Sequence, residues 1–308
     1  ILNIDKKTLK KVNRLENKME KRSKGETIFL WTLCVLFAIY TITLFYPLYW
    51  AIISSLKSTR EFFKSPYALP GRNIDGEQFY ITFENFKEAM QVKVGKSNIV
   101  QMFGNSLFIT FFALIIALLE CTMTGYVLSM YKFPGSKAIY NFMILIMMIP
   151  LAGSTPSLYK FYCQTGLYDT RIGLILLYTG GFGYPFMLLY NFFLGVSWSY
   201  GEAAMIDGAS DWGVFFKIML PQALGMELAI AVMSFMGIYG DYTNPYLFLK
   251  SHPTLSVGIT TLSNRLQGQG RYPAAFAAML IACVPTWIFY IVTNKKMYGL
   301  KIDTGIKG

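Results

Sequence analysis

Residues capable of chemistry are few in this 308-residue chain, and most stand where chemistry is costly. The single histidine, His252, sits beside Pro253 with no second imidazole to share a metal, and reads as a solvated loop residue. Four cysteines, Cys34, Cys121, Cys163 and Cys283, lie in or beside apolar runs and imply no disulfide framework. No glycine-rich phosphate loop ending in Lys-Ser or Lys-Thr is present. Gly180-Gly181-Phe182-Gly183 lacks the lysine and falls inside an apolar run, where it permits packing or a kink. With no nucleophile, base and orienting group in evident combination, the chain does not read as an enzyme. What remains is a set of carboxylates, Glu120, Glu227 and Asp241, within otherwise uncharged stretches, and one polar segment, Glu202-Ala203-Ala204-Met205-Ile206-Asp207-Gly208-Ala209-Ser210, between two of them.

Those stretches are membrane spans by length and composition. The chain is 54% hydrophobic and 17% aromatic, far more apolar than a soluble domain of its size. Six runs carry almost no charge: 28–56, 97–131, 138–159, 172–201, 218–249 and 272–294. Each exceeds the ~20 residues a membrane helix needs. The expected fold class is therefore all-α, a polytopic membrane protein of about six helices. Its expected segments are a basic N-terminal region 1–27, a first helix 28–56, an extracellular loop 57–96, a core 97–294 holding a cytoplasmic loop 196–222, and a tail 295–308.

Orientation follows from lysine and arginine near the helix ends. Nine basic residues fall between Lys6 and Lys24, and Lys295, Lys296, Lys301 and Lys307 follow the last span, so both termini read as cytoplasmic. Six spans return the chain to its starting side, which places the loop at Glu202 there too. Loop 57–96 carries seven basic residues but is offset by Glu61, Asp75, Glu77, Glu84 and Glu88. The first apolar run is too long for a signal peptide and reads as a retained helix. Leu2, Leu9, Val12 and Leu15 allow an amphipathic surface helix, or a solvated arm. The net charge of +11 reflects these flanks and points to anionic lipid headgroups; no aromatic-interleaved basic module for nucleic acid is visible. Lys250, Arg265 and Arg271, with no acid among them, add a basic field between the last two spans that suits lipid anchoring or an anionic solute.

Charges at membrane depth are functional hypotheses by default. Glu120, in the middle of the second span, has three readings: pairing with another helix, lining a solute path, or staying protonated. Glu227, within two turns of Pro221, reads as interfacial. Asp241 lies in Tyr239-Gly240-Asp241-Tyr242-Thr243-Asn244-Pro245, where Pro245 frees a carbonyl and Gly240 loosens packing, so that a structural kink competes with a solute contact.

The polar segment is the most specific signal. Glu202 through Met205 are good helix formers with an acid placed for the first turn, Gly208 permits a turn or a close approach, and Pro221 suits the first turn of the next helix. Trp212, Phe215, Phe216 and Met219 share helical spacing and predict one apolar face. Glu-Ala-Ala, then Asp-Gly-Ala, then Ile218-Met219-Leu220-Pro221 resembles the coupling loop of the permease subunits of type I ATP-binding-cassette importers. Asn105-Ser106-Leu107, Tyr131-Lys132-Phe133-Pro134-Gly135 and the ending Gly305-Ile306-Lys307-Gly308 are similar to the maltose-type second permease of the carbohydrate-uptake branch. Tyr239 to Asn244 resembles that branch's aromatic-Asn-Asp-aromatic run on the translocation path, with Gly240 in place of the usual Asn.

The resemblance implies an ATPase-coupling site at Glu202, Ala203, Ala204, Asp207, Gly208 and Ala209, and a solute path touching Tyr239, Asp241, Tyr242, Asn244 and Glu120. It further implies a second permease, two ATP-binding-cassette subunits and an extracellular solute-binding protein as partners. No cofactor is expected in this chain, with ATP and Mg on the ATPase subunits. Two alternatives stay open: a permease for a non-sugar solute such as a peptide or polyamine, and an ion-coupled carrier using Glu120 and Asp241 as proton sites.

Overall fold

A computed structural model describes residues 24–299 apart from 92, 150–152 and 181–182. The basic N-terminal segment, the tail beyond 299 and the middle of the Gly180–Gly183 run thus lie outside the described residues. The chain divides into two compact units, residues 1–53 and 54–308. The first holds most of helix α1 (Lys24–Ser55), an apolar helix long enough to cross a membrane.

In the second unit, α2 (Thr59–Lys64) and α3 (Glu84–Gln91) flank a two-residue hairpin, β1 (Asn73–Ile74) with β2 (Glu77–Gln78), and α3 leads to a second, β3 (Lys93–Val94) with β4 (Ser97–Asn98). The first hairpin turns through Asp75 and Gly76, at φ +52° and +78°, the paired positive φ that an Asp-Gly hairpin turn requires. Loop 57–96 is built around a buried lysine. The ammonium of Lys57 donates to the carbonyls of Ser65 and Pro66 at 2.8 and 2.9 Å, and the Asn85 amide donates to the carbonyls of Ser55 and Lys57. Burial depresses the Lys57 pKa, partly offset by the nearby Glu61 carboxylate.

Helix α4 (Ile99–Met130) opens on a capping box in which Asn98 and Gln101 each accept from the other's backbone amide. Helices α5 (Ser136–Met148), α6 (Thr155–Thr165), α7 (Arg171–Tyr178) and α8 (Tyr184–Leu194) follow. Then come α9 (Ser199–Ile206), α10 (Asp211–Val214), a π-helical turn (Phe215–Met219), α11 (Leu220–Gly240), α12 (Thr243–Phe248), α13 (Leu255–Gly268) and α14 (Tyr272–Gly299). Among the described residues, four helices are long and apolar enough to cross a membrane: 25–55, 99–130, 211–240 and 272–295.

The other two expected spans are each divided. The run 138–159 is interrupted between α5 and α6, and the run 172–201 becomes α7, a break, α8 and the first residues of α9. Hydropathy does not see such breaks, because glycine and threonine interrupt a helix without adding charge. The run 218–249 likewise stops at Asp241, whose backbone leaves the helical region at ψ 124°.

Pro221 stands in the first turn of α11, as its position suggests, and the π-helical turn before it joins α11 to the preceding helix. The chain is already helical from Asp211, and the Leu220 amide reaches back five residues to the Phe215 carbonyl. A proline in mid-helix lacks the amide and crowds the carbonyl four residues back; widening the preceding turn relieves the crowding.

Three apolar clusters fill the second unit. One joins Ile99 and Met102 of α4 to Phe235, Leu262 and Ala278. The second gathers Tyr126, Phe186, Leu189, Phe193, Phe215 and Met219. The third is smaller and joins Ile109 and Ala113 to Leu174, Ile175 and Leu249. Two glycines allow close approach between different helices. A Cβ on Gly125 would lie 3.0 Å from the Tyr190 amide nitrogen, and one on Gly258 would lie 2.1 Å from Met102 Sδ. The Asn105-Ser106 pair ties α4 to the start of α13: Ser106 Oγ accepts from the Leu255 amide at 2.7 Å, and Asn105 donates to the Pro253 carbonyl.

Candidate coupling surface and solute path

Helix α9 ends on a complete Schellman arrangement. The Ala209 amide donates to the Ala204 carbonyl at 2.9 Å and the Gly208 amide to the Met205 carbonyl at 3.0 Å, with Gly208 left-handed at φ +86°. Ser210 then caps α10, its hydroxyl accepting from the Gly213 amide at 3.2 Å. Glu202 does fall in the first turn of α9. The element's polar backbone groups are thus satisfied within a dozen residues of sequence.

Ala204 is buried, while Glu202, Ala203, Asp207 and Gly208 face outward and Ala209 is half-buried. Ile206 completes the outward face at 86% exposure and was missed in the sequence, where an aliphatic residue beside Asp-Gly reads as filler. Among the described residues, a Cβ on Gly208 would meet nothing within 4 Å.

The element rests on the far end of α4. Trp198 lies beneath Gly201, where an added Cβ would fall 3.0 Å from its ring, and packs edge-on against Tyr131 at 5.4 Å. Tyr131 Oη donates to Asp211 Oδ1 at 2.8 Å. The stretch after Ser210 carries two stripes where helical spacing predicts one. Phe215 and Met219 are buried, whereas Trp212 and Phe216 stack on each other, exposed, at 5.8 Å.

The mid-span carboxylates are all engaged. Glu120 Oε2 accepts from the Gly180 amide at 2.9 Å, and Glu227 Oε1 accepts from Thr122 Oγ1 at 2.7 Å, which joins α11 to α4. Glu227 therefore pairs with a neighbouring helix, where the sequence suggested an interfacial residue.

Asp241 sits in the break between α11 and α12 and holds it together. Its Oδ1 accepts from the Thr243 amide at 2.8 Å; its Oδ2 accepts from Asn244 Nδ2 and from Tyr178 Oη, each at 2.7 Å. Its own carbonyl accepts from Ser256 Oγ. Tyr239 is buried, stacked on Phe235 at 5.4 Å, with its hydroxyl 3.4 Å from the Ala282 carbonyl. Tyr242 stacks on Tyr246 at 5.1 Å. Asp241, Tyr242 and Asn244 thus share one break, and Glu120 reaches the break of the neighbouring run at Gly180, just beyond Tyr178. Beside Tyr239 and Gly240 opens a cavity of about 350 Å³ whose wall includes Ser256, Thr260, Thr286 and Trp287. None of these last four is marked by the sequence motif.

Away from the spans, Asp169 joins two connecting segments. Its amide donates to the Phe248 carbonyl at 2.9 Å, and its carboxylate accepts from both the amide and the hydroxyl of Ser251. Burial alone would raise its pKa, but the Ser251 and Lys250 donors and the nearby His252 hold it below the ordinary carboxylate value. The basic field between the last spans is weaker than its sequence implies, because Arg271 pairs with Glu88 of α3.

Residues 121–295 match the model of the binding-protein-dependent transport system inner membrane component. The diacetylchitobiose uptake system permease protein NgcG of Streptomyces coelicolor is 32% identical over 268 residues, 86% of this chain and 84% of that protein. The chain belongs to this family. It is a transport subunit, not an enzyme, and a multi-pass membrane protein. A permease of this kind is the membrane part of a system that also contains a partner permease, an ATPase and a binding protein. The galactooligosaccharides transport system permease protein GanQ of Bacillus subtilis is 29% identical over 283 residues, 89% of this chain and 94% of that protein. Among solved structures, a chain of a bacterial ABC transporter for import of the acidic polysaccharide alginate matches with a TM-score of 0.72 at 20% identity, covering 89% of this chain and 98% of that one. At that identity the match establishes the permease fold.

Proposed function

We propose that this chain is one of two permeases of an ATP-driven importer for a carbohydrate, an oligosaccharide or sugar derivative, received from an extracellular binding protein. The observation that carries the reading is α9, a short capped helix that turns Glu202, Ala203, Ile206, Asp207 and Gly208 outward within a family of binding-protein-dependent permeases. A rigid helix with its own caps satisfied transmits a push; a frayed one absorbs it. The named relatives handle diacetylchitobiose and galactooligosaccharides, which supports a hydroxyl-rich solute.

In this reading both termini and α9 are cytoplasmic, loop 57–96 is extracellular, and ATP with Mg is bound by two cassette subunits docked on α9. Solute passes near Tyr239, Asp241, Tyr242, Asn244 and Glu120. The cavity beside Tyr239, with three hydroxyl side chains and the Trp287 ring, offers the hydrogen-bond partners and flat face that a sugar uses. Basic flanks anchor the chain to anionic lipid.

Reconstitution tests the reading. The chain with its partner permease, both cassettes and loaded binding protein should import labelled oligosaccharide only with ATP. The lone chain should neither hydrolyse ATP nor transport. Uptake by the lone chain on a proton or sodium gradient would establish the carrier reading instead.

A further inference from the structure

Helix α14 carries two unlike faces. Ile281, Val284, Ile288 and Val292 recur at helical spacing and line a cavity of about 610 Å³ whose wall is apolar throughout. Met279, Cys283, Thr286 and Trp287 form the opposite face and line the cavity of about 350 Å³ to which α13 adds Ser256 and Thr260. The apolar face suits acyl chains or a neighbouring helix. The other does not, since a hydroxyl left unpaired against acyl chains is costly.

Groups on this second face are unpaired. Among the described residues, the hydroxyls of Thr260 and Thr286 make no hydrogen bond, and Trp287, 43% exposed, stacks on no other ring. A helical threonine can satisfy itself on the carbonyl four residues back, as Thr293 does on Phe289. For Thr286 that carbonyl belongs to Ala282, and it already accepts from Tyr239 Oη at 3.4 Å. Tyr239 thus leaves the Thr286 hydroxyl available to the cavity. Ser256, by contrast, is engaged by the Asp241 carbonyl.

The wall is also uncharged. Among the described residues no acid or base lines this cavity, and Asp241, bonded through its carbonyl to Ser256, has the sign that repels an anion. A carboxylate entering at membrane depth would lose water and meet no cation. The volume lies at the low end of the roughly 300–1,000 Å³ of small-molecule sites, room for part of an oligosaccharide.

We propose that Thr260, Thr286 and Trp287 form a subsite for one uncharged sugar unit of the passing oligosaccharide, with Tyr239 as the positioning residue that keeps Thr286 open. The indole face stacks on the sugar ring, and the two hydroxyls bond to those of the sugar. This rests on the importer reading above and narrows it to solutes without a carboxylate at this unit.

Cys283 reports on the subsite, because its exposed thiol lies on the same face of α14; Cys163, exposed and outside the cavity, is the internal control. The assembled complex is treated with N-ethylmaleimide at rest and after trapping with ATP and vanadate, and alkylation is read at each cysteine by mass spectrometry. A free uncharged disaccharide at ten times its half-saturating concentration should slow Cys283, and not Cys163, by about tenfold in at least one state. The matching uronate disaccharide should not protect. Trp287→Ala and Thr286→Val should each abolish the protection and lower uptake per ATP hydrolysed severalfold, while Trp287→Tyr, with a flat ring, keeps part of both. Tyr239→Phe should weaken protection, and adding Thr286→Val to it should change little further. Ile288→Val, on the apolar face, should match the wild type. Cys283 reacting equally with and without sugar in both states overturns the subsite, and protection by the uronate overturns its uncharged character. If Cys283 does not react at all, uptake decides: normal uptake in Trp287→Ala and Thr286→Val overturns the subsite. If Trp287→Ala does not assemble, wild-type protection and Thr286→Val decide. A wild-type complex that imports no oligosaccharide with ATP sinks the importer reading instead, whereas one that imports it with Cys283 unprotected sinks the subsite alone.

Discussion

Helix α9 and the mid-span breaks solve the same problem at different range. Both interrupt a helix and free backbone groups that must find partners. In α9 the Schellman bonds and the Ser210 cap return those groups to neighbours at most five residues away. At the mid-span breaks distant partners enter: Glu120 lies 60 residues from Gly180, and at Asp241 the local Thr243 and Asn244 donors are joined by Tyr178, 63 residues away. A locally closed element holds its shape when its surroundings move. An element closed through distant helices holds only as long as those helices keep their spacing. The first arrangement suits a part that transmits force, the second a part that changes setting.

The largest effect should come from the long-range side. Asp241→Ala removes the acceptor of Tyr178 Oη and Asn244 Nδ2 together with that of the Thr243 amide. Tyr178 Oη and Asn244 Nδ2 are partly buried donors, and a donor left unpaired away from water costs on the order of 1–3 kcal/mol. The variant should lower the yield and thermal stability of the purified complex as well as uptake. Asp241→Asn keeps one acceptor oxygen and should recover most of the stability. If Asp241→Ala assembles with unchanged stability and loses only uptake, the carboxylate serves solute rather than the break.

Gly208→Val comes next and breaks the local side. At φ +86° a β-branched residue is strained by roughly 1–2 kcal/mol, and no described residue lies within 4 Å of its Cβ position. The spans should insert and the complex assemble with modestly weaker cassette binding, while solute-stimulated ATP hydrolysis falls severalfold. Ser210→Ala, losing the cap of α10, should cost about 1 kcal/mol and act in the same direction. Normal stimulation in both variants would mean that the shape of this element does not matter to coupling.

The same difference in range decides what was legible in the sequence. The turn at Gly208 and the helix before it could be read because every group that closes them lies within the motif. Four spans could be read from hydropathy, and the end of α4 from Lys132 to Gly135. The breaks at Thr179 and within 138–159 could not, since no charge marks them, and the Gly180 amide finds its acceptor on another helix. The partner of Glu227 could not be read for this reason: its distance from Pro221 says nothing of Thr122, 105 residues away. The buried Lys57, read as one more loop charge, is likewise explained only by the fold of the segment around it. Arg271 lost its apparent freedom to Glu88, 183 residues earlier in the chain.

Asp169 separates range from burial and should give the smallest effect. Its partner Ser251 is 82 residues away, as distant as those of the mid-span acids, but the pair lies in connecting segments open to water. If range alone set the cost, losing this contact would match Asp241→Ala; if burial sets it, water replaces the lost partner and little changes. The sign with pH follows from the depressed pKa. A carboxylate whose folded pKa lies below its unfolded value stabilises the fold above the unfolded value, ~3.9, and loses that contribution as pH falls through the folded one. The wild type should therefore lose a small increment of thermal stability below about pH 4 that Asp169→Asn lacks, with the two nearly equal in uptake at neutral pH. Thermal unfolding of both complexes between pH 3 and 7 measures the increment, on the order of tenths of a kcal/mol for an exposed pair. A loss in Asp169→Asn as large as in Asp241→Ala would show that distance along the chain, and not exclusion of water, makes these contacts costly to break.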